Sequence, residues 1–248
     1  MTELLQTAQK NLTFLAVCLA IAAVLVLLAR LFERILPAEG RSLSPARRVS
    51  FVALFAALAG VLMLLELPLF FAPSCYKLDL SELPVLFCGF FLGPVAGVVC
   101  ELLKVVLKLL LKGTTTAFVG DFANFCVGCS MILPATVVYH IRKTKRSALL
   151  GMGAGTLCMT VFGSLFNAVY LLPKFAVLFG LPMEAILAMG TAINPAIHNV
   201  STLVLFAVVP FNILKGVLVS SLTFLLYKRV EKVLFRPRAA AGPARAGG

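Results

Sequence analysis

An all-α, polytopic membrane helix bundle is the fold class this sequence predicts, with a six-helix core and one extra N-terminal transmembrane helix. Three observations predict it. Hydrophobic residues fill 61% of the 248 positions and the mean hydropathy is +1.04, whereas soluble domains are roughly 45–50% apolar. Uncharged runs at 12–29, 83–100 and 147–173 each approach or exceed the roughly 20 residues that span hydrocarbon as a helix. The formal charge of +12 is confined to places that flank those runs. Arg30, Arg34, Arg41, Arg47 and Arg48 form one basic cluster, Arg142, Lys143, Lys145 and Arg146 a second, and Lys228, Arg229, Lys232, Arg236, Arg238 and Arg245 a third; together they hold 15 of the 22 basic residues. That is the positive-inside pattern, so all three clusters are expected on the cytoplasmic side. Nucleic-acid binding is not expected.

The first apolar run, 12–29, reads as a retained helix. Glu3 beside a single Lys10 makes a poor signal-peptide start, and no small-residue cleavage site follows. Its N-terminus is expected outside. Residues 1–48 then form an appendage, with an arginine-rich linker carrying Pro37, Gly40 and Pro45. The core, 49–235, begins with a helix over 49–65. Ala53-x-x-x-Ala57 and Ala56-x-x-x-Gly60 place small residues on consecutive turns there, which permits close helix contact. Spacing alone favours ordinary internal packing for both.

Residues 66–84 read as an outer loop, mixing Pro68 and Pro73 with charged and apolar side chains. A short helix over 85–92 should turn at Gly93-Pro94, and 95–111 should return outward. Glu101 and Lys104 on that helix stand three apart, so an internal ion pair is expected. Asp121 should open the next helix, where a carboxylate suits the positive N-terminal end. The segment 147–172 carries Gly151, Gly153, Gly155 and Gly163, and near its end Asn167 and Tyr170 are expected to share a face. Residues 174–199 suggest a lid or a partly embedded segment. The last helix should begin at Pro210 or be kinked there, because proline can only start or bend a helix. A low-complexity tail, 236–248, is expected to be disordered.

Lys215 is the only charged residue between Glu184 and Lys228. An ammonium at such depth costs about 2.5–3.5 kcal/mol on insertion scales, so it is normally paired or set against a cavity. Asn212, three positions earlier, shares its face. With Asp79, Asn124 and Asn167 these residues map to the outer half of the core. Five polar groups at one depth fit a pocket open to the outside, suited to a small heterocycle with imide and hydroxyl groups. Lys215 is expected to point into it and donate to the ligand; an ion pair with Glu101 or Asp121 is the structural reading. The sequence offers no His/Glu metal cluster, no phosphate-binding glycine loop and no Ser-x-x-Lys pair in a polar context. No metal, resident cofactor or catalytic residue is expected, and the chain should not be an enzyme. The seven cysteines lie almost wholly in apolar runs; Cys126-x-x-Cys129 lacks a second pair and reads as helix packing.

Leu78-Asp79-Leu80-Ser81-Glu82-Leu83-Pro84, followed by Gly93-Pro94-x-x-Gly97, resembles the riboflavin-specific substrate-binding subunits (S components) of energy-coupling factor transporters. Gly120-x-x-Ala123-Asn124-Phe125-x-x-Gly128, Asn167-x-x-x-Leu171-Leu172-Pro173 and Pro210-Phe211-Asn212-Ile213-Leu214-Lys215-Gly216 extend the resemblance, in order, over about 49–234. It implies six helices and an outer riboflavin pocket. Asn167, Asn212 and Lys215 would contact the flavin, and Leu78 and Asp79 would belong to a gating loop. It also implies that Ala53 and Ala57 dock onto a transmembrane coupling subunit powered by two ATPase subunits, in a bacterial plasma membrane with the C-terminus cytoplasmic. Departures are the extra N-terminal helix, Ala168 where an aromatic is expected (Tyr170 follows two positions on), and a long 174–199 region. The alternatives are an S component for thiamine, pantothenate or a modified base, an intramembrane enzyme built on Glu101 and Lys104, and a non-transport membrane protein.

Overall fold

A computed structural model describes residues 12–36, 43–69 and 76–235. The predicted tail 236–248, Pro37 and Gly40 of the linker, and Pro73 and Cys75 of the outer loop lie outside them. Helix α1 (Leu12–Ile35) is followed by α2 (Pro45–Leu64), and strands β1 (Leu67–Pro68) and β2 (Lys77–Leu78) pair antiparallel in the loop after it. Then come α3 (Glu82–Leu92), α4 (Pro94–Lys112), α5 (Val119–Arg142) and α6 (Lys145–Phe166). A π-helical turn, Asn167–Leu171, joins α6 to α7 (Leu172–Phe179), and α8 is Met183–Thr191. Finally α9 (Val200–Leu203) passes through a second π turn, Val204–Val208, into α10 (Val209–Phe235). The final helix thus starts before Pro210 and widens ahead of it.

Five of these stretches are long and apolar enough to cross a bilayer: α1, α2, α5, α6 through α7, and α9 through α10. Helix α3 is too short, and α4 carries Glu101, Lys104, Lys108 and Lys112. Together α2 to α10 give the six-helix core expected. At 11 residues, α3 rises only about 16 Å. It ends beside the start of α2, where Arg48 donates to the Leu92 carbonyl at 3.0 Å. Its N-terminus therefore sits partway up the bundle, and the loop before it must dip inward to reach it. Gly93 makes the tight reversal into α4 with φ of 104°, a backbone state side chains disfavour.

The two small-residue motifs of α2 separate. Ala56 and Gly60 are buried, and Gly60 meets Leu107 of α4. Ala53 and Ala57 are exposed on the opposite face among Leu54, Leu58 and Val61. Helix α1 packs on α4 and α5 through Ala22 and Ala29 and leaves that face open. Its C-terminal end is tied to α2 by Glu33 and Arg48 at 3.1 Å. Tyr139 of α5 and Tyr227 of α10 share a hydrogen bond, so the described members of all three basic clusters lie at one end. Phe14 of α1 meets Phe122 of α5 at the other.

Candidate functional site

At the end remote from the basic clusters, the bundle opens into two adjoining cavities. The deeper, about 150 Å³, is lined by Tyr76, Glu82, Asn124, Asn167, Asn212 and Lys215 among others. The outer, about 500 Å³, has Asp79, Lys108 and Asp121 on one side and Leu172, Phe175, Phe179, Ile186 and Met189 on the other. They share Tyr76, Lys77, Gly120, Asn124 and Phe175. The chamber thus has a polar floor beneath an apolar roof made by α7, α8 and their connection. The region 174–199, expected as a lid or a partly embedded segment, supplies most of this roof.

The backbone accounts for where the amides sit. Pro173 lacks an N–H and its ring would strike the carbonyl four residues back, Val169; Pro210 does the same to Phe206. Each of those carbonyls falls inside a π turn, whose i→i+5 bond from Leu172 or Val209 spans the difficulty. Asn167 opens the first turn and Asn212 follows the second. Asn167 is satisfied within the protein: it donates to the Gly163 carbonyl at 2.8 Å and accepts from the Tyr76 hydroxyl at 2.8 Å. Asn124 Oδ1 and Asn212 Nδ2 are buried and have no hydrogen-bond partner among the described residues. One is an acceptor and the other a donor, and both residues line the deeper cavity.

Lys215 lines the same cavity, as expected, but its ammonium is held at 3.0 Å by Asp79 and at 3.0 Å by Glu82. The partners expected for it, Glu101 and Asp121, are taken. Glu101 pairs with Lys104 at 2.6 Å, and Lys104 also reaches Glu82 at 3.3 Å. Asp121 pairs with Lys108 at 2.5 Å and accepts from Thr114 at 2.7 Å. The inward dip of the loop causes the difference, because it carries Asp79 and Glu82 to the depth of Lys215. An ammonium has three donors, so a third N–H remains beyond these two carboxylates. Glu101 lies against Gly128, where an added Cβ would overlap its carboxylate as placed and force it to shift.

Two expected site residues stand elsewhere. Tyr170 lines neither cavity; it stacks on Phe166 at 5.1 Å and joins the apolar cluster that receives Phe14 of α1. Its separation from Asn167 follows from the π turn, in which residues three apart no longer share a face. Leu78 is buried with Tyr76, Val208 and Phe211, supporting the floor from behind. Tyr76 was not singled out from the sequence, although a ring with a polar tip directly ahead of Leu78-Asp79 is a usable signal. Glu82 was likewise visible only as part of a motif. The loop is fastened from outside by Glu66, which accepts from Lys77 and Lys112 at 2.8 Å each. Burial works to raise the Glu66 pKa, and the two lysines outweigh it and hold the carboxyl below its usual range.

A membrane bundle whose one end encloses a roofed, amide-lined chamber defines an integral-membrane solute-binding protein. The family described as ECF transporter, substrate-specific component, matches residues 47–227, and the chain belongs to that family. The matched stretch begins after α1. A riboflavin transporter RibU of Staphylococcus aureus (strain TCH60) is 32% identical over 190 residues, covering 77% of this chain and 93% of that protein. The riboflavin transporter FmnP of Bacillus subtilis (strain 168) is 27% identical over 195 residues, covering 78% and 97%. The solved structure of the S component of a bacterial ECF transporter aligns with a TM-score of 0.61 at 32% identity, covering 78% of this chain and 100% of that one.

Proposed function

We propose that this chain captures riboflavin at the outer face of a bacterial plasma membrane and presents it to an energy-coupling module. The carrying observation is the pair of unpartnered amide atoms, Asn124 Oδ1 and Asn212 Nδ2, in one cavity. The imide edge of an isoalloxazine offers a donor N–H between carbonyl acceptors, which complements that pair. A bound ligand must supply partners to these two atoms, because a buried polar group left unpaired in the complex costs about 1–3 kcal/mol. Lys215 keeps one donor for a ring carbonyl or a ribityl hydroxyl, and Asn167 with Tyr76 forms the adjacent wall. The apolar roof suits the flat ring system, and about 500 Å³ lies in the usual range for small-molecule sites. The similarity to riboflavin transporters supports the same ligand over another vitamin.

The basic end faces the cytoplasm in this reading, with the start of α1 outside and the C-terminus inside. The chain works without a resident cofactor or catalytic group of its own. ATP hydrolysis belongs to two ATPase subunits that act through a transmembrane coupling subunit. Ala53 and Ala57, exposed one turn apart, are where that subunit docks. Purified protein should quench riboflavin fluorescence saturably with sub-micromolar affinity; no saturation, with binding of a different vitamin, overturns the assignment. Ala53→Trp or Ala57→Trp should abolish uptake in cells and co-purification with the module while leaving quenching intact. Uptake surviving both substitutions would place docking elsewhere.

A further inference from the structure

The basic end of the bundle holds a cavity unrelated to the flavin chamber. Between α6 and α10, about 220 Å³ is lined by Lys145, Thr223, Tyr227 and Lys228, with Phe90 and Met152 behind. It continues into a hollow of about 470 Å³ along the same helix pair, sharing Met152, Phe224 and Leu225 with it. This second part is a largely apolar slot, with Thr156, Ser220 and Ser221 also in its lining, flanked by Leu149, Val217 and Leu225, which are exposed on the outside of the bundle. A Cβ added at Gly153, in its wall, would meet nothing within 4 Å. Hydroxyls on transmembrane helices normally bond the carbonyl one turn back, as Thr136 and Thr160 do here. Thr223 does not: it has no exposure to solvent, and its Oγ1 has no partner among the described residues.

We propose that this cleft binds one anionic glycerophospholipid of the surrounding leaflet. Its phosphate lies between the Lys145 and Lys228 ammonium groups, a headgroup or ester oxygen accepts from the Thr223 hydroxyl, and one acyl chain lies in the slot over Gly153. Charge complementarity selects the lipid class. Two lysines and the N-terminal end of α6 all present positive charge, and a zwitterionic headgroup would bring a third cation to them. The slot leads directly from the polar pocket to the lipid-facing surface, as a headgroup joined to a chain requires.

Phosphatidylglycerol and phosphatidylcholine with identical acyl chains distinguish the possibilities. Protein in neutral detergent is titrated with each, and retained lipid is counted by native mass spectrometry. One phosphatidylglycerol should be retained at concentrations roughly tenfold or more below those needed for phosphatidylcholine. The double variant Lys145→Gln/Lys228→Gln should lose that preference, and Gly153→Leu, which fills open space and favours helix, should lose retention of both lipids. Riboflavin quenching, read at the far end of the bundle, should stay unchanged in both variants and reports that they are folded. Equal retention of the two lipids overturns the proposal, as does an undiminished preference in the double variant. So does a Gly153→Leu protein that keeps its lipid but no longer co-purifies with the coupling subunits, since the slot would then be a protein interface.

Discussion

The two ends of the bundle are built on opposite rules. Toward the basic end, α3 with α4 and α5 with α6 touch backbone to backbone. Gly151 and Gly155 of α6 lie so close to the Ala135 and Met131 carbonyls that an added Cβ would sit 2.5 Å from either oxygen, and Gly97 of α4 faces Gly89 of α3. At the other end the helices widen into π turns before Pro173 and Pro210, two amide atoms lack partners, and a chamber stays open. Close packing leaves a structure little room to adjust. Open volume and two polar atoms with no partner among the described residues leave the other end free to take a ligand. The contrast teaches that the chamber end is held in shape by ions and irregular backbone, above close α3–α4 and α5–α6 contacts, while the α6–α10 side of the basic end is itself open.

The sharpest way to break that contrast is Lys215→Met. The chain Asp79, Lys215, Glu82, Lys104, Glu101 links the loop, α10, α3 and α4 through buried ion pairs. Removing one member strands Asp79 beside Glu82, and breaking a buried pair this way typically costs about 3–5 kcal/mol. The ligand-free protein should melt markedly lower. Affinity should also fall about ten- to a hundred-fold, as expected when a charged donor to a buried ligand is lost. Measuring melting and flavin affinity on the same sample separates the two contributions. An unchanged melting temperature would show that the ladder does not hold the loop, and unchanged affinity in the folded fraction would show that Lys215 serves structure alone.

Asn124→Ala and Asn212→Ala sharpen the contrast from the other side. Neither atom bonds another described residue, so truncation should leave the melting temperature of the ligand-free protein nearly unchanged. Each should weaken riboflavin binding by about 0.5–1.5 kcal/mol, or roughly two- to twelve-fold. Asn167→Ala should behave differently, because it also breaks bonds with Tyr76 and Gly163 and should lower stability with no ligand present. If Asn212→Ala destabilises the empty protein as much as Asn167→Ala does, the donor is not waiting for a ligand.

Much of this was legible in the sequence, and what was not has identifiable causes. Apolar run length and basic clusters gave the helix count, since both are local properties of the chain. The clustering of Asn124, Asn167, Asn212 and Lys215 around one cavity followed from their common depth. Lys215's partners were not legible, because they depend on how far an outer loop descends, and that is set by the shortness of α3. Tyr170 was misplaced because a three-residue spacing was read at α-helical pitch, although Pro173 just beyond it was the available warning of a widened turn. Spacing alone could not divide the alanine motifs of α2 into an inner and an outer pair; the resemblance singled out Ala53 and Ala57, and these are the exposed pair.

The smallest expected effect lies at the rim. Glu66 is fastened to Lys77 and Lys112 across the mouth of the chamber, and its carboxyl titrates below the ordinary value of 4.5 because the lysine bonds and charges outweigh burial. For a depressed carboxylate the sign is fixed: its contribution is complete above the unfolded value and is lost as pH falls through the folded one. The fastening should therefore hold at neutral pH and weaken only below about pH 4.5. Both lysines are well exposed, and such pairs contribute only about 0.2–1 kcal/mol each, less at high salt. Glu66→Gln should accordingly speed flavin release by no more than a few-fold at neutral pH, without lowering the melting temperature measurably. The wild-type release rate should rise toward that of the variant as pH falls below 4.5 or as salt is raised, while the variant changes less. If the variant and wild type respond identically to acid, the loop is held by its buried contacts, Asp79–Lys215 and Tyr76–Asn167 among them, and the rim contributes nothing to closure.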